Sequence, residues 1–198
     1  MKQQIILLRW WTPKENYDNY YDFLEKYEIK PYKEKFIKWS DTLAKTLWED
    51  FEILEIERPN KDFADYKARK IIFEKYIPYI QDGAIFVGHS LWGSFFLKYF
   101  NKNSDLLEKF RKILLVAPAS DDTDEELIWK FRPDLSFKNL KNYQDKIVVF
   151  ASKDDFMVPY KEIELLQEKL PNIDYRIFED KWHFLQENFT ELYEELKI

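Results

Sequence analysis

Six consecutive residues, Gly88-His89-Ser90-Leu91-Trp92-Gly93, place a hydroxyl in a short turn between an apolar run, Ala84-Ile85-Phe86-Val87, and a segment of helical character, Ser94 to Phe100. A strand, a sharp turn and a helix in that order can raise a serine hydroxyl above a sheet. The backbone N–H of the next residue, here Leu91, can then face the oxyanion that forms when the hydroxyl attacks a carbonyl. A serine that merely caps a helix after a strand gives the same pattern, so the chemistry depends on partners.

A serine hydroxyl is a poor nucleophile near neutral pH and needs a base within hydrogen-bond reach. The chain has two histidines, His89 and His183. His89 adjoins the serine, and its side chain should leave the backbone on the opposite side from that of Ser90. His183 is therefore the expected base. It stands in Lys181-Trp182-His183-Phe184-Leu185, between the last apolar run and the last helical segment. Free imidazole titrates near about pH 6.5, so kcat/KM is expected to rise through a limb at about pH 6–7.5.

The base in turn needs a carboxylate to fix its tautomer and to stabilise the imidazolium during attack. After the apolar run Ile147 to Ala151 comes Ser152-Lys153-Asp154-Asp155-Phe156-Met157-Val158-Pro159, which holds two candidates. Asp155 is the first choice and Asp154 the alternative, since one aspartate of such a loop can shape the turn while another caps the helix.

These positions need a scaffold. Short apolar runs recur at Ile5 to Leu8, Phe51 to Ile56, Ala84 to Val87, Ile113 to Ala117, Ile147 to Ala151 and Tyr175 to Phe178. Between them lie helical spacings: Tyr17, Tyr20, Tyr21 and Leu24; Leu43, Leu47 and Trp48; Ile163, Leu166 and Leu170; Phe189, Leu192 and Leu196. The alternation predicts an α/β fold, a three-layer α/β/α sandwich on a mostly parallel sheet of about six strands, with ligands at the carboxyl ends of the strands. Ser40 suits a helix N-cap, Pro159 a first helical position and Pro171 a stop. Residues 118–143 read as a small lid. It opens on an acidic run in which Thr123 and Glu126 fit a capping box better than a calcium site.

At 198 residues the chain suits one domain, 1–198, with one core. A net charge of -6 with both signs intermixed gives no basic stripe, so neither nucleic acid nor membrane is an expected partner. There is no cysteine, which excludes disulfides, thiolate metal sites and cysteine nucleophiles. Three glycines cannot write a dinucleotide fingerprint or a phosphate loop, and no cofactor and no metal are expected. Ile5 to Leu8, interrupted by Arg9, is too short for a signal h-region or a membrane span, so the expected location is cytoplasmic.

With serine, aspartate and histidine in that chain order, each after a strand, the sequence resembles the small single-domain α/β-hydrolase serine hydrolases typified by retinoblastoma-binding protein nine and the YdeN-like proteins. Gly88 to Gly93 is similar to their G/A-H-S-x-G elbow, Ala151 to Pro159 to their acid loop, and His183-Phe184-Leu185 to their G-H-F loop. The resemblance implies Ser90 as nucleophile, Asp155 as acid and His183 as base, acting on an ester or related acyl bond of a small molecule without a cofactor. Carboxylic-ester hydrolysis is the expected reaction, with amide or peptide cleavage as variants.

Two departures bear on the site. The family has a small residue two places after the nucleophile, where this chain has Trp92, with Gly93 one place later. Close strand-to-helix packing is then an open question, with Trp92 turned into the acyl pocket or opening the elbow slightly. The family's turn after the first strand appears as Arg9-Trp10-Trp11, leaving the Trp11 N–H as the candidate second oxyanion donor. Loss of one such donor lowers kcat by about 10²–10³. The same departures motivate a competing expectation, a binding or scaffolding protein on a hydrolase fold. Trp10, Trp92, Trp129, Phe156 and Trp182 fall near strand ends or in the lid and are the candidate pocket lining.

Overall fold

Runs that are apolar on both alternating faces form strands covered on both sides, and all six expected runs are strands in the computed structural model, which describes residues 2–9, 14, 16–28, 37–47, 49–57, 62–120 and 130–197. The elements follow in the order β1 (Gln3–Leu8), α1 (Tyr17–Lys26), α2 (Trp39–Leu47), β2 (Phe51–Glu55), α3 (Tyr66–Tyr76), β3 (Ala84–His89), α4 (Leu91–Phe100), β4 (Phe110–Val116), β5 (Ile147–Ser152), α5 (Tyr160–Lys169), β6 (Asp174–Phe178) and α6 (Thr190–Lys197). Each β-pairing in this sheet is parallel, and the spatial order is β2-β1-β3-β4-β5-β6.

Alternation along the strands divides the core in two. Ile6, Leu8, Phe86, Ile113, Leu115, Ile147 and Val149 face a layer built by Phe73 of α3, Trp92, Phe95 and Phe96 of α4, and Ile163 and Leu166 of α5. Ile5, Leu7, Ile85, Val87, Leu114, Val116 and Phe150 face Trp39, Leu43 and Leu47 of α2 and Leu192 and Leu196 of α6. The sheet is thus sandwiched between two helical layers. Because β1 is flanked by β2 on one side and β3 on the other, the chain reverses its direction of travel across the sheet there. The carboxyl ends of β1 and β3 therefore border a crevice, the usual ligand position in such sheets.

The helix boundaries correct two details. Ser40 lies inside α2, which starts at Trp39, and is not its cap. Pro159 is itself the N-cap of α5, one place before the first helical position, in an extended conformation (φ -55°, ψ 137°). Trp48, the Thr123–Glu126 box and the rest of 121–129 lie outside the described residues. Of the segment expected as a lid, residues 130–143 are tied down. Phe131, Phe137 and Leu140 are buried in the α3/α4/α5 layer, and Asn101 at the end of α4 donates to the Asp134 carbonyl (3.0 Å) and accepts from the Asn139 side chain (2.7 Å). Among the described residues, no helix is long and apolar enough to cross a membrane.

Candidate active site

β3 ends at His89, and the chain turns at Ser90 with φ 56° and ψ -123° before α4 begins at Leu91. Such a conformation costs a non-glycine residue about 1–3 kcal/mol and persists only where its surroundings over-determine it. Here the Ser90 N–H donates to the Val116 carbonyl at the end of β4 (2.7 Å), while the Gly93 and Ser94 N–H groups converge on the Ser90 carbonyl (2.7 and 3.1 Å). Although Ser90 occupies the N-cap position, its side chain makes no capping hydrogen bond. The commonplace reason for a serine at a helix start is therefore removed. Leu91 opens the helix, so its N–H has no carbonyl one turn back to bind, as required of an oxyanion donor.

The glycines explain how the elbow closes around Trp92. A Cβ on Gly93 would come within 2.7 Å of the Pro118 Cβ, and one on Gly88 within 3.2 Å of the Trp92 carbonyl. Close packing of strand, helix and the segment after β4 is thus present despite Trp92: Gly93 supplies the small-residue allowance one place later in the chain. Trp92 itself is fully buried. Its ring meets Phe95 edge-on (5.1 Å between centroids), and the buried Arg69 guanidinium of α3 lies 5.1 Å from the Trp92 centroid and 4.6 Å from that of Phe131.

The loop after β5 and the loop after β6 meet. His183 Nδ1–H donates to Asp155 Oδ2 at 2.8 Å, with Oδ1 at 3.1 Å, and both side chains are closed off from solvent (0% and 3% exposed). Asp155 Oδ1 also accepts from the Met157 and Val158 N–H groups (2.8 and 2.9 Å). These backbone donors fix the direction of the carboxylate. With the proton on Nδ1, the lone pair of the neutral imidazole lies on Nε2.

Asp154 has a different task. Its Oδ1 accepts from the Trp182 N–H (2.8 Å) and from the Ser152 hydroxyl (2.6 Å), while Ser152 Oγ in turn accepts from the Lys181 N–H (2.9 Å). The two aspartates thus divide the work: Asp154 grips the backbone of the histidine loop and Asp155 grips the histidine. Trp182 and Phe184, on either side of His183, both adopt positive φ (50° and 52°). With Ser90 and with Ala117 after β4 (φ 45°), four of the five described non-glycine residues at positive φ follow the carboxyl ends of β3, β4 and β6.

His89 also reaches this loop. Its Nε2–H donates to the His183 carbonyl (2.9 Å), and the two imidazoles lie 5.1 Å apart. Burial, reinforced by the adjacent His183 and by Lys38, pushes the His89 imidazole well below its usual range, so it stays neutral. On the far side, Trp39 Nε1–H donates to the Phe184 carbonyl (2.9 Å). Neither Trp39 nor Asp154's grip on Trp182 was signalled by motif or spacing.

Of the candidate pocket residues, Phe156 and Trp182 are exposed (69% and 63%), each one position from a member of the Asp155–His183 pair, whereas Trp92 is core. Trp10, Trp11 and Trp129 lie outside the described residues. Arg9, before that first turn, is committed elsewhere: it pairs with Asp41 of α2 (2.6 Å) and Glu55 of β2.

Compared by sequence alone, the chain matches no family model and no curated protein. Compared by structure, it is similar to the ydeN gene product of B. subtilis, with a TM-score of 0.66 at 17% identity over 100% of this chain and 97% of that one. The chain has the α/β-hydrolase fold. A YdeN-like protein from Pectobacterium atrosepticum matches with a TM-score of 0.58 at 12% identity over 98% and 89% of the two chains. An N-formylmaleamic acid deformylase from Pseudomonas putida S16 matches at 0.57 and 11% over 100% and 92%. Its neighbours are thus YdeN-like proteins and other α/β hydrolases, as the motif resemblance implied. In an α/β-hydrolase sheet the elbow after β3 and the loops after β5 and β6 share one rim, which is where this chain carries Ser90, Asp155 and His183.

Proposed function

We propose that the protein is a serine hydrolase that cleaves an ester or related acyl bond through an acyl-enzyme intermediate. His183 takes the proton from Ser90 as the hydroxyl attacks the carbonyl, and the Leu91 N–H stabilises the oxyanion. The protonated base then donates to the leaving group. Water deacylates the serine by the same path in reverse. The observation that carries this reading is the buried 2.8 Å contact of His183 Nδ1 with Asp155, in a loop held by the residue that precedes the strained Ser90. Phe156 and Trp182, exposed beside this pair, supply the apolar surface for the acyl or leaving group. Of the two motives for a non-catalytic reading, the tryptophan beside the elbow is weakened by the burial of Trp92 in the core, while the first-strand turn lies outside the described residues.

A fluorophosphonate probe is expected to label the wild type and not Ser90→Ala, and a panel of short-chain and aryl esters is expected to be hydrolysed only by the wild type. Labelling of the Ser90→Ala protein would assign the nucleophile elsewhere. An unlabelled wild type that hydrolyses no ester would favour a binding role on this fold.

A further inference from the structure

Within that proposed serine-hydrolase reading, the residue before the nucleophile has work of its own. The main chain around His183 is bent the wrong way for ordinary side chains at Trp182 and again at Phe184. Contacts from three other elements restrain it. Asp154 and Ser152, from the end of β5 and its loop, accept the Trp182 and Lys181 N–H groups. Trp39, from the start of α2, donates to the Phe184 carbonyl. The remaining contact falls on His183 itself, whose carbonyl oxygen receives the His89 Nε2–H at 2.9 Å. A carbonyl can only accept, so the His89 proton is on Nε2.

His89 is 1% exposed, and its ring is packed between the His183 ring (5.1 Å) and the Trp39 ring (5.8 Å). Alternation along β3 sends its side chain to the α2/α6 side of the sheet with Ile85 and Val87, while the turn at Ser90 lifts the hydroxyl above the rim. The residue before the proposed nucleophile thus holds the backbone of the proposed base.

We infer that His89 is a positioning residue for the base: its Nε2–H, fixed to the His183 carbonyl, sets where the His183 ring stands between Ser90 and Asp155. A rigid strand end then fixes both nucleophile and base, so that any shift of β3 moves them together. A lone hydrophobic residue of similar bulk would fill the space and leave the carbonyl unheld.

Glutamine and methionine separate these roles, since they match in length and only glutamine carries a donor. With an ester substrate, His89→Met is expected to lower kcat by about 10² at unchanged KM, and His89→Gln to recover to within several-fold of wild type. Equal kcat in the two variants, or wild-type kcat in His89→Met, overturns the inference, as does a loss confined to KM. A second readout does not require turnover. The Nδ1 proton of His183, held by Asp155, should give a far-downfield NMR resonance in the wild type and His89→Gln that is lost or broadened in His89→Met. An unchanged resonance in His89→Met sinks the proposal. Should the Met variant not fold, the ¹⁵N shifts of wild-type His89 decide: protonation on Nδ1 alone overturns it. A wild type inert to esters and probe would refute the hydrolase reading, while these NMR outcomes still judge how His183 is held.

Discussion

At the scale of single residues, the loop after β5 shows how two identical neighbours acquire different tasks. Both Asp154 and Asp155 follow a strand and precede a helix, and nothing in their types separates them. The structure does so through the direction of N–H groups a few residues after β6: Trp182 presents its amide to Asp154, and His183 presents its ring to Asp155. Asparagine at 155 would accept at Oδ1 but could offer an N–H to Nδ1, favouring the wrong tautomer. Asp155→Asn is therefore expected to lower kcat on the order of 10⁴-fold with the fold intact. Asp154→Asn weakens charge-assisted hydrogen bonds to the loop and should instead lower stability by about 1–2 kcal/mol with less than a tenfold change in kcat. Parallel measurements of kcat and of urea midpoints on the two variants check the division. Equal kcat losses would contradict it.

At the scale of elements, the strands were readable because a parallel sheet covered on both faces needs unbroken apolar runs, and Ile147 to Ala151 or Ala84 to Val87 can hardly be anything else. Helix α3 was not readable in the same way. Its fully buried side chains are Arg69 and Phe73, with Tyr66, Ile72 and Tyr76 only partly buried beside them, so its inward face is interrupted by a charge, and the arginine buried against Trp92 and Phe131 reads in the sequence as a surface residue. The elbow was legible as a motif, but its packing was not: that Gly93 can stand in for a glycine at position 92 depends on Pro118, which meets it from beyond β4. Gly93→Ala tests this directly. Alanine would gain up to about 1 kcal/mol in helix propensity, but a Cβ 2.7 Å from the Pro118 ring must displace one of them. The expected outcome is a net loss of about 1–2 kcal/mol, seen as a lower denaturant midpoint with an unchanged m-value, together with slower probe labelling of Ser90. A more stable variant would mean that α4 and Pro118 can part freely.

At the scale of the whole molecule, the two layers over the sheet are unequal in chemistry. The α3/α4/α5 side is dominated by aromatic rings, while the α2/α6 side holds the His89 ring against Trp39, with Phe189 packed on both Trp39 and Phe184. A neutral histidine enclosed there couples the fold to pH. The unfolded chain takes up a proton on His89 near pH 6.5 and the folded protein only well below that. Stability from this group is therefore fully present above about 6.5 and is lost as pH falls through the folded value. Melting temperatures measured between pH 8 and 5 should fall on the acid side, and His89→Gln should flatten that fall. Parallel curves for the two proteins would place the acid sensitivity elsewhere. The parallel pairing of the strands has a further, kinetic consequence. Without a hairpin to start from, each registration, such as Val148 with Asp174 or Ile5 with Ile85, must close a long stretch of chain before any neighbouring contact rewards it. Refolding is then slow for a chain of this size, and the rim that joins Ser90, Asp155 and His183 is completed only when the most distant of these registrations has locked.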